Sequence, residues 1–277
     1  MSSLNPTIHC LCEESDVEVS VTYDEAPKGE VRFPFVGTYN RDYRRCKICG
    51  HFYSSHSMDM STLYDRDYLT ATYGGEDGVL NAFNKIIALP VSQSDNHQRI
   101  CRIQEFAIRK FGNKVSEPKL LDVGSGLAVF VYGMEAQGWQ CTALDPDKRF
   151  SLHASNVTGA ETITGDFLSI DASDWKTFHC VSFNKVLEHV EDPIAFLTKA
   201  GRILKTRGFI YLEVPDGETA ILEGQNREEF FIDHHHVFSA ASLVFMITNA
   251  GLTLVRLERL QEPSGKFTFV AFAVPRL

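Results

Sequence analysis

The run LLDVGSGLAVF at 120–130 constrains the fold more than any other feature, because an apolar strand passes directly into Asp122-x-Gly124-x-Gly126 and then into an apolar helix. Glycines at such a turn let backbone amides approach a ligand at the positive end of the helix, at the edge of a parallel α/β sheet. The text that follows keeps the same alternation. CTALD, ETITG, CVSFN and FIYLEVP read as strands, separated by amphipathic segments through Met134–Gln137, His153–Asn156 and Phe196–Ile203. This predicts a mostly parallel sheet with helices on both faces. After a helix at Ala240–Asn249, LTLVRLERL and KFTFVAFAV are joined by Gln-Glu-Pro-Ser-Gly. That connector is too short for a parallel crossover, so the last two strands form an antiparallel hairpin.

Spacing gives the glycine turn its meaning. Asp145 ends the next strand 19 residues after Gly126, and Asp166 follows the third strand 21 residues later. A carboxylate at the second tip can take both ribose hydroxyls of a nucleoside. One at the third tip can accept from the exocyclic amine of adenine, with Phe167 covering the ring. With LDPD, TGDF and NKVLEHVEDPIAFLTKAGRILKTRGFIYLEVPD, residues 70–277 resemble the class I S-adenosylmethionine-dependent methyltransferases. A nicotinamide Rossmann enzyme is the alternative for this fold. The resemblance implies an α/β seven-stranded Rossmann-like sheet with an antiparallel last hairpin, and S-adenosylmethionine as cofactor. It implies that Gly124, Ser125 and Gly126, following Asp122, surround the methionine moiety. Asp145 would take the ribose, Asp166 and Phe167 the adenine, and Asn184 would face the sulfonium. Ala128 stands where a third glycine is usual. In LYDRDYLTATYGG, Tyr64, Tyr68 and Tyr73 are candidates to cover the cofactor, Tyr73 being counted among its contacts.

Four of the seven cysteines crowd the first fifty positions as Cys10-x-Cys12 and Cys46-x-x-Cys49. Two short cysteine pairs around a hairpin are the ligand set of a closed, structural zinc site. Reduced thiols without metal are the alternative. His9 and His51 read as exposed polar residues, and Cys101, Cys141 and Cys180 as small apolar ones. Val17–Tyr23 and Glu30–Val36 flank Ala-Pro-Lys-Gly and read as hairpin strands. Asn81–Lys110 has helical spacing. The organisation expected is a zinc-ribbon-like β module at 1–57, a helical connecting arm and cofactor lid at 58–115, and a cofactor-binding domain at 116–277. Zinc-binding segments before this core also occur in bacterial sugar C-methyltransferases and their shorter relatives, which this chain resembles.

The segment FFIDHHHVFS resembles the Glu-His-x-x-x-Phe-Ser element of those sugar enzymes. The resemblance puts Asp233 and His234 in the catalytic acid and base positions, with Phe231 where those enzymes carry tyrosine. A near-neutral imidazole suits proton removal from a hydroxyl or from carbon beside a carbonyl. A metal-binding patch using His234 and His236, and plain structural histidines, are the alternatives. The function expected is methyl transfer to a hydroxyl or activated carbon of a small polar acceptor, a sugar or nucleotide sugar. A non-catalytic zinc-module adaptor and a phenolic O-methyltransferase remain open. With Lys plus Arg at 27 against Asp plus Glu at 36, the net charge of −9 disfavours nucleic acid and anionic lipid as partners. No basic, apolar leader and no long apolar run is present, so a cytoplasmic protein is expected.

Overall fold

A computed structural model describes residues 10–12, 16–32, 35, 37–58, 75–112, 115–171, 175 and 178–276. Strands β1 (Val17–Tyr23), β2 (Arg41–Cys46) and β3 (Phe52–His56) pair antiparallel in that order. Of the second hairpin strand expected at Glu30–Val36, the described residues 30–32 and 35 carry no strand, and β1 pairs with Arg41–Cys46 instead. RDYRRC, by contrast, buries Arg41, Tyr43 and Cys46.

Helices α1 (Glu76–Ile87) and α2 (Asp95–Phe111) divide the stretch expected to be helical as a whole. Pro90, lying between them, disfavours helix at Leu89. Ser94 restarts the helix by accepting from the His97 amide at 3.1 Å. The large sheet then takes β4 (Lys119–Val123), β5 (Gln140–Asp145), β6 (Glu161–Thr164), β7 (Phe178–Asn184), β8 (Leu204–Pro215), β10 (Leu252–Gln261) and β11 (Phe267–Pro275). Helices α3 (Val129–Glu135), α4 (Lys148–Val157), α5 (Pro193–Arg202), α6 (Gly217–Glu223) and α7 (Ala240–Asn249) connect them. A two-residue strand, β9 (His236–Val237), lies between α6 and α7 but pairs with β3 of the small sheet.

The order of the large sheet is β10-β11-β8-β7-β4-β5-β6. Its pairs are parallel, except that β11 is inserted antiparallel between β8 and β10. Alternation along each strand feeds two cores. Ile210, Leu212 and Val214 face α5 and α7 residues such as Leu197, Leu243 and Met246, while Phe209 and Tyr211 face Ile103, Phe111 and Met134 of α2 and α3. The chain leaves β4 toward β5 on one side and β7 on the other. That reversal opens a crevice at the carboxyl ends of the strands, where ligands of open α/β sheets bind. No helix among the described residues is long and apolar enough to cross a membrane.

Candidate active site

The turn after β4 exposes backbone because of its sequence. Gly124 has φ +72°, and a Cβ there would lie 2.6 Å from Val186 Cγ2, so only glycine fits without displacing that valine. The Gly124 and Ser125 amides donate to the Leu144 carbonyl at 2.8 and 3.0 Å, pinning the turn to β5. Asp145 Oδ2 accepts from the Gly126 amide and Oδ1 from the Asp147 amide, both at 2.9 Å. These bonds orient the carboxylate, while burial raises its pKa to about 6. Ala128, at the start of α3, takes φ +56°, a left-handed conformation that costs a residue with a β-carbon about 1–2 kcal/mol.

Asp122 is buried, and its pKa is pushed up to about 7 by that burial, against a hydrogen bond from Ser182. Its Oδ1 accepts from Ser182 Oγ at 2.7 Å and Asn184 Nδ2 at 2.8 Å. Asp122 therefore fixes the orientation of Asn184. Asp166 is exposed beyond β6, with its carboxylate capping the following turn through the Leu168 and Ser169 amides at 3.3 and 3.1 Å. Phe167 is drawn inward. Only 2% exposed, its ring packs on Trp175, Phe183 and Phe196 in the core. Tyr64, Tyr68 and Tyr73 lie outside the described residues.

Two polar residues of α2 escape a reading of motifs. Arg99 Nη2 pairs with Glu213 at 2.5 Å, and Asn96 Nδ2 donates to the Val129 carbonyl at 2.9 Å. Yet Arg99 Nε, Asn96 Oδ1, Ser125 Oγ and Asn184 Oδ1 are buried with no hydrogen-bond partner among the described residues. Arg99 is close enough to lower the Asp122 pKa. Each orphaned atom costs about 1–3 kcal/mol. Donors and acceptors collected beside the glycine turn fit a ligand with both an ammonium and a carboxylate, the amino-acid end of S-adenosylmethionine. The only signal in the sequence is polarity on the inward face of an otherwise amphipathic helix.

The acceptor-side residues sit on the loop between α6 and α7. His234 Nδ1 lies 2.8 Å from the Glu229 carbonyl and His189 Nδ1 2.8 Å from the Asp233 carbonyl. The His189 and His234 rings meet edge-on at 4.8 Å. Burial lowers the His234 pKa, beyond the opposing pull of Asp233, so the ring is neutral near pH 7. Burial would raise the Asp233 pKa, but His234 and His189 outweigh it and hold the carboxyl below the usual range. His236 does not share a site with His234. Its Nδ1 is 3.0 Å from Nε2 of His51, and His51 Nδ1 is 3.2 Å from Ser242 Oγ at the start of α7. His51, expected to be exposed, is 0% exposed, because the pairing of β3, which it immediately precedes, with β9 brings its ring against His236.

The module grips this loop throughout. Tyr43 hydroxyl reaches the Phe231 and His234 carbonyls at 2.9 and 2.7 Å. Glu30 Oε2 accepts from the Ile232 amide at 2.7 Å and from buried Arg41 at 2.6 Å. The Ser54 amide donates to the His235 carbonyl at 3.0 Å, and Ser239 Oγ donates to the Cys49 carbonyl.

One sulfur from each of Cys10, Cys12, Cys46 and Cys49 lies within 4.8 Å of the others. Neighbouring Sγ pairs are 3.3–3.6 Å apart, too far for a disulfide and close to the edge of a tetrahedron with corners ~2.3 Å from its centre. Burial opposes ionisation of Cys46, but the Cys49 and Ile48 amides overcome it and bring the thiol to about 7. The four thiols thus fit a zinc ion.

The structure superposes on magnesium protoporphyrin IX methyltransferase from Synechocystis PCC 6803, solved with bound SAH, at a TM-score of 0.57 and 13% identity, covering 76% of this chain and 98% of that one. A S-adenosylmethionine-dependent methyltransferase from Clostridium acetobutylicum ATCC 824 gives 0.54 and 10%, covering 72% and 98%. Such likenesses establish the fold. No match to the sequence is found among curated proteins. Residues 96–257, more than half of the chain, match the family model described as a methyltransferase domain. The seven-stranded sheet with its inserted antiparallel strand and the family match agree: the chain belongs to the methyltransferase-domain family and is an S-adenosylmethionine-dependent methyltransferase.

Proposed function

We propose that the enzyme methylates a hydroxyl or an activated carbon of a small polar acceptor of the sugar class, free or nucleotide-linked. The observation that supports this reading is Asp233–His234 on the loop between α6 and α7, tied to the turn after β7 through the Glu188 carbonyl and to the module through the Tyr43 hydroxyl. S-adenosylmethionine, when bound, supplies an electrophilic methyl carbon. Asp145 would hold the ribose hydroxyls and Asp166 the adenine amine, while the Gly124–Gly126 backbone with Asn96, Arg99 and Asn184 receives the amino-acid end. His234 then serves as proton acceptor. Its Nδ1–H is committed to the Glu229 carbonyl, which leaves the lone pair of the neutral ring on Nε2. Asp233 stabilises the charged ring once the proton has moved. In-line transfer needs alignment above all, and the grip of the module on the 228–239 loop supplies it.

Cys10, Cys12, Cys46 and Cys49 would hold a structural zinc whose binding free energy folds a module with few apolar residues. Division at about 57 and 115 into module, arm and cofactor domain follows from this reading. The seven cysteines, an odd number with four of them gathered as two short pairs, favour a reducing, cytoplasmic setting. The test is a methyl-transfer screen over sugars, nucleotide sugars and small phenols. His234→Ala should lower turnover on the accepted substrate by about 10²–10⁴ with S-adenosylhomocysteine affinity unchanged. Full turnover in that variant would refute the assignment, and transfer to phenols alone would refute the sugar class.

A further inference from the structure

We infer that Glu188, His189 and His234 form a second metal site, chemically distinct from the four thiols, for a divalent first-row transition cation. This goes beyond the methyl-transfer reading and does not depend on it. One ligand atom from each of the three side chains lies within 4.8 Å of the other two. Two imidazoles and one carboxylate are a ligand set suited to Mn²⁺, Fe²⁺, Co²⁺ or Zn²⁺. Three protein ligands leave positions open for water or an oxygen of a bound molecule.

Two further observations point to an ion. Glu188 is 1% exposed, and its Oε2 is buried with no hydrogen-bond partner among the described residues. A carboxylate oxygen carried into the interior without a donor is costly, and a cation is what would offset it. The second observation is the setting of the rings. Carbonyl oxygens only accept, so the 2.8 Å contacts of His189 Nδ1 to the Asp233 carbonyl and of His234 Nδ1 to the Glu229 carbonyl place the ring hydrogens on Nδ1. In the uncharged form of either ring, Nε2 then carries the lone pair. Backbone carbonyls orienting Nε2 in this way are the usual support behind metal-bound histidines.

The segments that bring the ligands together are themselves joined. The Glu188 carbonyl accepts from the His235 amide at 2.7 Å and from the His236 amide at 3.2 Å, so the turn after β7 and the loop carrying His234 are held in register. Asp233 adds negative charge, with Oδ2 3.8 Å from His189 Nδ1. Bound through His234 Nε2, an ion would compete with the acceptor proton for that lone pair, so the metal-loaded and metal-free enzymes would handle the proton differently.

The test uses the full chain and Mn²⁺, a cation that thiolates select poorly, followed by electron paramagnetic resonance and calorimetry without methyl donor or acceptor. Wild type should take up Mn²⁺ saturably, one ion per chain. Affinity should fall about tenfold or more in both Glu188→Gln and His189→Asn, each checked for an unchanged melting transition and unchanged S-adenosylhomocysteine binding. If one variant fails to fold, the other decides. Absence of saturable Mn²⁺ binding by wild type, or wild-type affinity in a folded variant, would overturn the site.

Discussion

Arg41→Ala should destabilise the protein by about 3–5 kcal/mol, the cost of leaving a buried carboxylate without its cation. The Arg41 and Glu30 side chains are 0% and 1% exposed and lie 2.6 Å apart. Glu30 also accepts from the Tyr39 hydroxyl at 2.5 Å and the Ile232 amide at 2.7 Å, so its charge organises three donors at once. Arg41 further stacks over the Tyr23 ring at 4.1 Å. Burial raises the Glu30 pKa and Arg41 opposes that rise. Without the guanidinium, the carboxyl would take up a proton or drag in water, and the anchor of Ile232 would weaken. A urea titration should show a lower midpoint, with faster hydrogen exchange in residues 228–239. A change below about 1 kcal/mol would mean that the pair is solvated like a surface bridge.

The second large effect belongs to the thiols. Structural zinc contributes about 10–16 kcal/mol of apparent binding free energy in small modules, more than β1–β3 could recover from their own packing. Cys46→Ser should therefore abolish the module's structure while leaving the seven-stranded sheet folded. Wild type should contain zinc with thiolate-type coordination, and the variant should lose it. Because Ser54 N–H bonds the His235 carbonyl and Ser239 bonds the Cys49 carbonyl, the loop bearing His234 should lose exchange protection together with the module. Wild-type melting and loop protection in the zinc-free variant would show that the cysteines are packing residues only.

Short-range chemistry makes much of this architecture legible in the sequence. Apolar runs of strand length separated by amphipathic segments signal the parallel sheet, and the short Pro-Ser-Gly connector at 263–265 signals the closing hairpin. Both signals survive into the fold because turn length and side-chain alternation are encoded within a few residues. What escapes a linear reading depends on contacts between distant segments. His51 and His236 are 185 positions apart and meet only because β9 adds to the module's sheet. Glu30 looks like one more acidic surface residue until Arg41 and Ile232 enclose it. Phe167 follows a cofactor-motif aspartate, yet its size makes it core. Arg99 and Asn96 lie on a helix with no signature, and only their unpaired buried atoms mark them.

Calorimetry with S-adenosylhomocysteine tests most directly whether the strand tips of β4 and β5 bind an adenosyl donor. Wild type should bind one molecule per chain, and Asp145→Ala should weaken that binding about 100-fold or more, for the loss of two charge-assisted hydrogen bonds at roughly 1.5–3 kcal/mol each. No measurable binding by the folded wild type, or equal affinity in the two proteins, would contradict the account.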